Sequence, residues 1–223
     1  LFVKAVAVFI NVKFLYNAAS NTRAVNVIIQ GEIFICSFCQ FLSNKGSLGC
    51  LHVSKVINMK LIKSQFNENQ AKENNAIIYF KIKPGIFTLM IFHCRFMKNQ
   101  NKGEGVVLNI VKAKVKIVGS QFLTNGAVLS CLYCKNIYIQ TCSVINNFAP
   151  YLKGSIHIKQ IENTTISKTY LQTNKLKEGG SVYLIKNDVF KMFSCLLSGV
   201  NQGGGLQIKN QKQENKRYFV KII

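Results

Sequence analysis

Short runs in which apolar and polar residues alternate recur along the chain. Met59-Lys-Leu61, Val115-Lys-Ile117 and Phe190-Lys-Met192 each place a lysine between two apolar residues. A period of two is typical of a β-strand with one buried face, whereas an amphipathic helix shows a period of about 3.6. The pattern therefore predicts an all-β fold built from short strands.

A six-residue motif follows these runs at a regular distance. The copies CQFLSN, SQFNEN, CRFMKN and SQFLTN begin at Cys39, Ser64, Cys94 and Ser120, and each has a small residue first, a phenylalanine third and an asparagine sixth. With two later copies in which another apolar residue replaces phenylalanine, the asparagines lie 22 to 30 residues apart, with a mean spacing of 26. The predicted ladder positions are Phe41, Phe66, Phe96 and Phe122, and Asn44, Asn69, Asn99, Asn125, Asn147 and Asn174.

A second alternating strand follows each asparagine, after a loop that usually reaches a glycine. A unit of this length, with two or three strands, cannot bury its apolar face alone, but units stacked about 4.8 Å apart can. The sequence therefore predicts a single-stranded right-handed parallel β-helix, or β-solenoid, of about seven to eight coils. The repeats are expected over residues 31–210, with an atypical N-terminal coil or cap in residues 1–30. Residues 211–223 are expected to form a final strand or the start of a further coil.

Each position of the motif becomes a column of side chains along the solenoid axis. We expect the phenylalanines to stack inside the core. We expect each asparagine to occupy a sharp bend, where it tolerates the left-handed conformation and its amide bonds to the next amide of the stack. The glycines are expected to allow a similar bend before the second strand.

These motifs resemble those of a known family. Phe41-Leu-Ser-Asn44 and Phe122-Leu-Thr-Asn125 resemble the FxxN motif of polymorphic outer membrane protein repeats, and Gly203-Gly-Gly-Leu206 resembles the companion GGA(I/L/V) motif. Similar repeats occur in large protist surface proteins. The resemblance implies the pectin-lyase-like β-helix architecture, although most units keep only one glycine.

The charge of the chain favours anionic partners. Twenty-nine basic residues against eight acidic ones give a formal net charge of +21. Lys60, Lys116 and Lys168 lie between or just after interior positions, and we expect them to face outward along one strand ladder, where they could contact an acidic polysaccharide. The lysines are nevertheless spread along the chain, so a solvated basic face with no ligand is an open alternative. No nucleic acid is expected, because the aromatic residues are predicted to be buried and not exposed for base stacking.

The acidic residues argue against intact polysaccharide-cleaving chemistry. Glycoside hydrolases need paired carboxylates, and calcium-dependent lyases need carboxylates to hold the metal. Glu104 and Glu178 occupy similar loop positions but are predicted to lie three coils, or about 14 Å, apart. We therefore expect no catalytic residue and no cofactor, and keep a degenerate or partial lyase or hydrolase as an alternative.

Eight cysteines and three histidines also suggest no metal site. Cys36/Cys39 and Cys131/Cys134 have the CxxC spacing found in zinc sites, but they are predicted to lie three coils apart and partly in the core. His52, His93 and His157 are expected at different phases of the repeat. Core packing of free thiols is the expected role of the cysteines.

These observations lead to a hypothesis about function. No run of 18 apolar residues occurs, so we expect no transmembrane segment within this chain. The chain begins with Leu1, not Met, and is expected to be part of a longer protein. We expect a non-enzymatic structural or adhesive segment of a large extracellular or cell-surface protein, whose partner is an acidic polysaccharide or another surface protein.

Overall fold

The predicted all-β parallel solenoid is confirmed. A computed structural model describes residues 2–3, 6–20, 24–29, 33–54, 56–71, 76–81, 87–101, 106–149, 154–176, 180–199, 205–209 and 219–222. These residues form strands, turns and bends, with no helix among them. Consecutive strands along the chain lie in different sheets, and each sheet gains one strand per turn.

Three long parallel sheets form the walls of the solenoid. The first sheet contains Phe2–Val3, Val25–Ile29, Leu51–Ser54, Ile78–Lys81, Val106–Val111, Ala127–Leu132, Ile156–Lys159, Val182–Ile185 and Leu206–Lys209. The second contains Val6–Ile10, Ile33–Ser37, Asn58–Ile62, Phe87–Phe92, Ala113–Val118, Asn136–Gln140, Asn163–Ser167, Val189–Phe193 and Phe219–Ile222. The third contains Lys13–Leu15, Gln40–Leu42, Gln65–Asn67, Arg95–Met97, Gln121–Leu123, Ser143–Ile145, Tyr170–Gln172 and Leu196–Ser198.

Two short sheets follow the third sheet around the next corner. One contains Ala18–Ala19, Lys45–Gly46, Gln70–Ala71 and Gln100–Asn101, and the other pairs Phe148–Ala149 with Lys175–Leu176. Register is kept from turn to turn, so that Leu61, for example, lies between Cys36 and Ile91 in neighbouring strands. Equivalent residues therefore stack into columns, and the inward columns of the three walls form one apolar core.

The phenylalanines of the motif form a continuous internal stack. The rings of Phe41 and Phe66 lie 4.4 Å apart at 5°, and those of Phe96 and Phe122 lie 4.7 Å apart at 3°. The spacing matches the distance between hydrogen-bonded strands, because the backbone ladder sets the separation of the rings. The stack continues toward the N-terminus through Phe14, whose ring lies 4.6 Å from that of Phe41.

The asparagines form a second, polar column. The backbone N–H and the side-chain Nδ2 of Asn99 both donate to Oδ1 of Asn125, at 3.0 and 2.9 Å. Nδ2 of Asn99 also donates to the carbonyl oxygen of Phe66, at 2.7 Å. The same pattern repeats with Asn17, Asn44, Asn69, Asn125, Asn147 and Asn174 as donors or acceptors. The predicted bonding between stacked amides is therefore confirmed.

The predicted left-handed conformation of the asparagines is wrong. The residue before each asparagine takes it instead, with φ of 50° at Ser43, 56° at Glu68 and 52° at Lys98. The left-handed residue turns the chain, and the asparagine after it is thereby aimed into the core. The repeat does not specify the left-handed residue, since its side chain points to solvent and many residue types accept this position at a modest cost.

The small residues that open the motif also form a hydrogen-bonded column. Ser64 Oγ accepts the N–H of Cys39 at 3.1 Å, and Ser120 Oγ accepts that of Cys94 at 3.1 Å. The cysteine Sγ atoms donate to nearby carbonyl oxygens, as from Cys94 to Phe92 at 3.4 Å. Alternation of thiol and hydroxyl along this column thus satisfies amide groups that burial would otherwise leave unpaired.

Just before a strand of the first sheet, a glycine allows the backbones of two neighbouring turns to approach closely. Gly49 has φ of 114°, and a Cβ atom there would collide with the carbonyl oxygen of Ala76 in the next turn. The expected need for glycine at this bend is confirmed at Gly49.

Candidate functional site

The outer face of the second sheet carries the lysines that the sequence singled out. Lys60 and Lys116 lie in one outward column, two turns apart, with Met90 between them. Tyr138 and Thr165 follow Lys116 in the same register, and Lys191 comes next. Lys116 and Lys191 are exposed, and Lys60 is half-buried. We call the six residues from Lys60 to Lys191 the outer lysine column.

Lys116 is held against two aromatic rings. Its Nζ lies 5.9 Å from the centre of the Phe92 ring and 5.7 Å from that of Tyr138. A cation beside two ring faces gains electrostatic stabilisation, and its motion is restricted. The charge of Lys116 is therefore presented from a defined position above the sheet.

Lys168 lies outside this column. It follows the strand Asn163–Ser167 and occupies a corner with φ of 47°, where its side chain is exposed. Lys63 is in the same corner column, and its Nζ lies 5.4 Å from the ring centre of Phe38. The structure thus brings Lys60 and Lys116 onto one face and puts Lys168 on the edge beside it.

Two of the described acidic residues, Glu162 and Asp188, share a column in adjacent turns, because each directly precedes one of the paired strands Asn163–Ser167 and Val189–Phe193. The expectation that the carboxylates are not paired in this way is wrong for these two residues, since their sequence separation equals one turn of the repeat.

Glu68 Oε1 lies 3.8 Å from Lys98 Nζ, and Glu68 Oε2 accepts a hydrogen bond from Ser43 Oγ at 3.4 Å. Glu104 and Glu178 lie outside the described residues. Within the described part of the chain, no group of three or more His, Cys, Asp or Glu side chains is arranged to hold a metal ion.

The cysteines are free thiols, seven of them buried and Cys195 half-buried. Burial raises the pKa of the Cys94 thiol to about 12 and that of Cys142 to about 11, because the interior disfavours a thiolate. In the second CxxC pair, a hydrogen bond from Cys131 lowers the pKa of Cys134. Cys36 lies in the second sheet and Cys131 in the first, so the two pairs do not converge on one site.

The histidines are arranged differently from the prediction. His52 and His157 occupy the same register position of the first sheet, four turns apart, with residues 79, 109 and 130 at that position in the turns between them. That separation is about 19 Å along the axis, too far for a common ligand. The expectation of different phases is wrong for this pair, because the variable loops shift the spacing along the sequence without changing the register.

A groove lies at the corner between the third sheet and the short sheet that begins with Ala18–Ala19. It has a volume of about 470 Å³ and is lined by six residues: Tyr16, Ala18, Ser43, Lys45, Glu68 and Gln70. The motif copies from Cys39 onward do not predict this groove, because it lies beside an earlier copy. The signal was present, since Phe14 and Asn17 in the stretch KFLYN match the FxxN spacing and occupy the two ladder columns.

Comparison with known proteins gives no family. No family model matches the chain, and no curated protein matches it. A solved structure of trypsin-treated QnrB1, described as a plasmid-mediated fluoroquinolone resistance protein, is similar over 83% of this chain and 90% of its own. The sequence identity is 12% and the TM-score is 0.20.

The structure contains no helix, among the residues it describes, with the length and apolar character to cross a bilayer.

Proposed function

We propose that this chain is a non-enzymatic structural segment of a large extracellular or cell-surface protein, acting as a stiff spacer or an adhesive surface. The observation that carries the proposal is the use of the repeated residues. The motif asparagines, from Asn44 to Asn174, and the motif phenylalanines, from Phe41 to Phe122, are almost entirely buried. The asparagine side chains bond to one another along the axis. The repeat therefore builds length and leaves the outward positions free to vary.

The geometry suits a spacer. Nine strands stacked at about 4.8 Å give a rod of roughly 40 Å, and each added repeat lengthens it by one step. Bending such a rod requires strain in the hydrogen bonds of three parallel sheets and of the asparagine ladder together. The resemblance to the FxxN repeats of polymorphic outer membrane proteins and to pectin-lyase-like β-helices also favours a surface location.

Two measurements test this proposal. Antibodies against the chain should label intact, non-permeabilised source cells, and protease added outside such cells should remove the label. In parallel, the purified chain should release no fragments from polygalacturonate or from neutral plant and microbial polysaccharides. Labelling only after permeabilisation would contradict the location, and cleavage abolished by one point substitution would contradict the non-enzymatic role.

A second candidate function is the binding of an acidic polysaccharide, favoured by the outer lysine column. Lys60, Lys116 and Lys191 face the same side of the second parallel sheet. A polyanion lying along the axis would meet these charges at intervals of about 10 to 14 Å. Lys116 is already fixed between Phe92 and Tyr138, so less side-chain entropy is lost when it binds.

Charge reversal tests this candidate. The triple variant Lys60→Glu, Lys116→Glu, Lys191→Glu should lose binding to polygalacturonate in a pull-down at low salt. The matched control reverses three exposed lysines elsewhere, Lys13, Lys135 and Lys175, and has the same net charge. Equal loss in both variants would show that only net charge matters, and binding that resists added salt would argue against ionic contacts.

A further inference from the structure

The groove at the N-terminal corner has the chemistry of a small binding site. Tyr16, Ser43 and Glu68 occupy one corner column in three successive turns, and Ala18, Lys45 and Gln70 occupy the column two residues further on. We propose that this groove, lined by these six residues, binds one or two units of an uncharged saccharide.

The size of the groove follows from two small side chains. Ala18 stands where later turns have Lys45 and Gln70, and Ser43 stands between Tyr16 and Glu68. The larger side chains therefore surround an open space about two turns, or roughly 10 Å, long. Its volume of about 470 Å³ accommodates a pyranose ring and part of a second.

The lining offers the contacts that a sugar requires. Tyr16 is 70% exposed and presents a ring face against which the C–H face of a pyranose can pack. Gln70 and Ser43 both donate and accept hydrogen bonds, Lys45 donates, and Glu68 accepts. Vicinal hydroxyl groups, which donate and accept at once, match such a mixed set.

The charge of the groove favours a neutral ligand. Lys45 and Glu68 are its charged residues and have opposite signs. Glu68 Oε1 lies 3.8 Å from Lys98 Nζ, Glu68 Oε2 accepts a hydrogen bond from Ser43, and the Glu68 side chain is 51% exposed. The six residues that line the groove therefore carry no net charge, unlike the strongly basic chain as a whole, and Lys98 lies beside Glu68 outside this lining.

The backbone beneath the groove is rigid. The asparagine ladder passes directly under it, with Asn17 and Asn44 bonded at 2.7 Å and Asn44 and Asn69 at 3.0 Å. Side chains in neighbouring turns therefore keep their spacing without a ligand. Such preorganisation reduces the entropy lost on binding.

Glycan-array screening of the whole 223-residue chain, with neutral and acidic oligosaccharides, tests the proposal. We expect a neutral oligosaccharide to bind, with an affinity that added salt does not weaken. Tyr16→Ala and Gln70→Ala should each weaken binding by about tenfold, measured by titration with the oligosaccharide found on the array. Tyr16→Phe keeps the ring and should retain most of the affinity.

Tyr133→Ala is the matched control. Tyr133 is also an exposed tyrosine in a left-handed corner, with φ of 56° against 55° for Tyr16, but it lies away from the groove. Equal effects of Tyr16→Ala and Tyr133→Ala would overturn the proposal. It would also be overturned if no neutral oligosaccharide bound, or if only acidic ones bound in a salt-sensitive way, which would favour the outer lysine column. The structural role proposed above requires no ligand and would stand in either case.

Discussion

The N-terminal and C-terminal turns of the solenoid use the same backbone with different interiors. In the N-terminal turns, up to Leu132, the inward column of the third sheet is a stack of phenylalanines from Phe14 to Phe122. In the C-terminal turns, from Asn136 onward, Val144 and Leu171 take these places. The asparagine ladder continues across the boundary without a break, from Asn125 to Asn147 and on to Asn174.

The contrast shows that the two columns have different requirements. An apolar column needs volume, and neighbouring side chains can adjust when a ring is replaced by a smaller group. The ladder needs an acceptor and two donors in fixed positions at every step, because each Oδ1 receives two N–H groups from the turn before. Asparagine meets this requirement in each of the turns where the ladder is described.

Among the described residues, the C-terminal turns also contain more buried polar atoms without a hydrogen-bond partner. Ser155, Thr164 and Ser181 are fully buried, and their hydroxyl oxygens have no hydrogen-bond partner among the described residues. By contrast, Ser64 and Ser120 in the N-terminal turns accept backbone N–H groups. Buried hydroxyls without partners lower stability, so we expect the C-terminal turns to be less stable.

The largest expected effect is the loss of one ladder step. Asn125→Ala removes the acceptor for two N–H groups of Asn99 and the donor to the carbonyl of Phe96. Leaving several buried groups unpaired should lower the free energy of unfolding by roughly 3–6 kcal/mol. Chemical denaturation measures this, with Asn163→Ala as the control, because Asn163 is an exposed asparagine whose Nδ2 makes one solvent-exposed hydrogen bond, to Asn136 Oδ1. Equal losses in the two variants would contradict the role of the ladder.

Truncation within the apolar column should differ between the two regions. Phe96→Ala removes a fully buried ring from the middle of the stack and should cost about 3–5 kcal/mol. Val144→Ala removes two methyl groups at the equivalent position and should cost about 2 kcal/mol. Chemical denaturation of both variants under the same conditions compares their losses in the free energy of unfolding. A larger loss for Val144→Ala would show that the phenylalanine stack contributes little.

The buried thiols predict a loss of stability at alkaline pH. The pKa of Cys142 is raised from 9.0 to about 11, so above pH 9 the unfolded chain loses this proton while the folded chain keeps it. The contribution is fully present below pH 9 and falls by about 1.4 kcal/mol per pH unit up to pH 11. The stability difference between the parent chain and Cys142→Ala should therefore shrink by roughly 2.7 kcal/mol over this range. A constant difference would show that the thiol ionises equally in both states.

The smallest expected difference separates two buried serines. Ser120→Ala leaves the N–H of Cys94 without an acceptor and should cost about 1–3 kcal/mol. Ser155→Ala removes a hydroxyl that has no partner among the described residues, so stability should change by less than about 1 kcal/mol. Both residues are fully buried, which makes them a matched pair. If Ser155→Ala proved the more damaging, the two regions would not differ as described.

The sequence predicted the fold because its signal is repeated. The FxxN spacing and the alternating strands located Phe41 and Asn44, and the structure confirms both columns. The left-handed corners were assigned to the wrong residue, since the turn is made by residues such as Ser43 and Glu68 whose identity varies. Because the loops vary in length, the spacing along the sequence does not show that His52 and His157 occupy the same register position. The groove was also missed, because it depends on which outward side chains happen to be small.

Hydrogen exchange of the asparagine side chains tests the central claim most directly. The claim is that one buried amide ladder runs through both regions, with Nδ2 groups that donate in both directions along the axis. Residue-resolved NMR should find the Nδ2 protons from Asn44 to Asn147 strongly protected in both regions. Those of Asn163, which is exposed and makes one solvent-exposed hydrogen bond to Asn136, should exchange much faster. Exchange of the Asn99 or Asn125 amides at the rate of Asn163 would contradict the account.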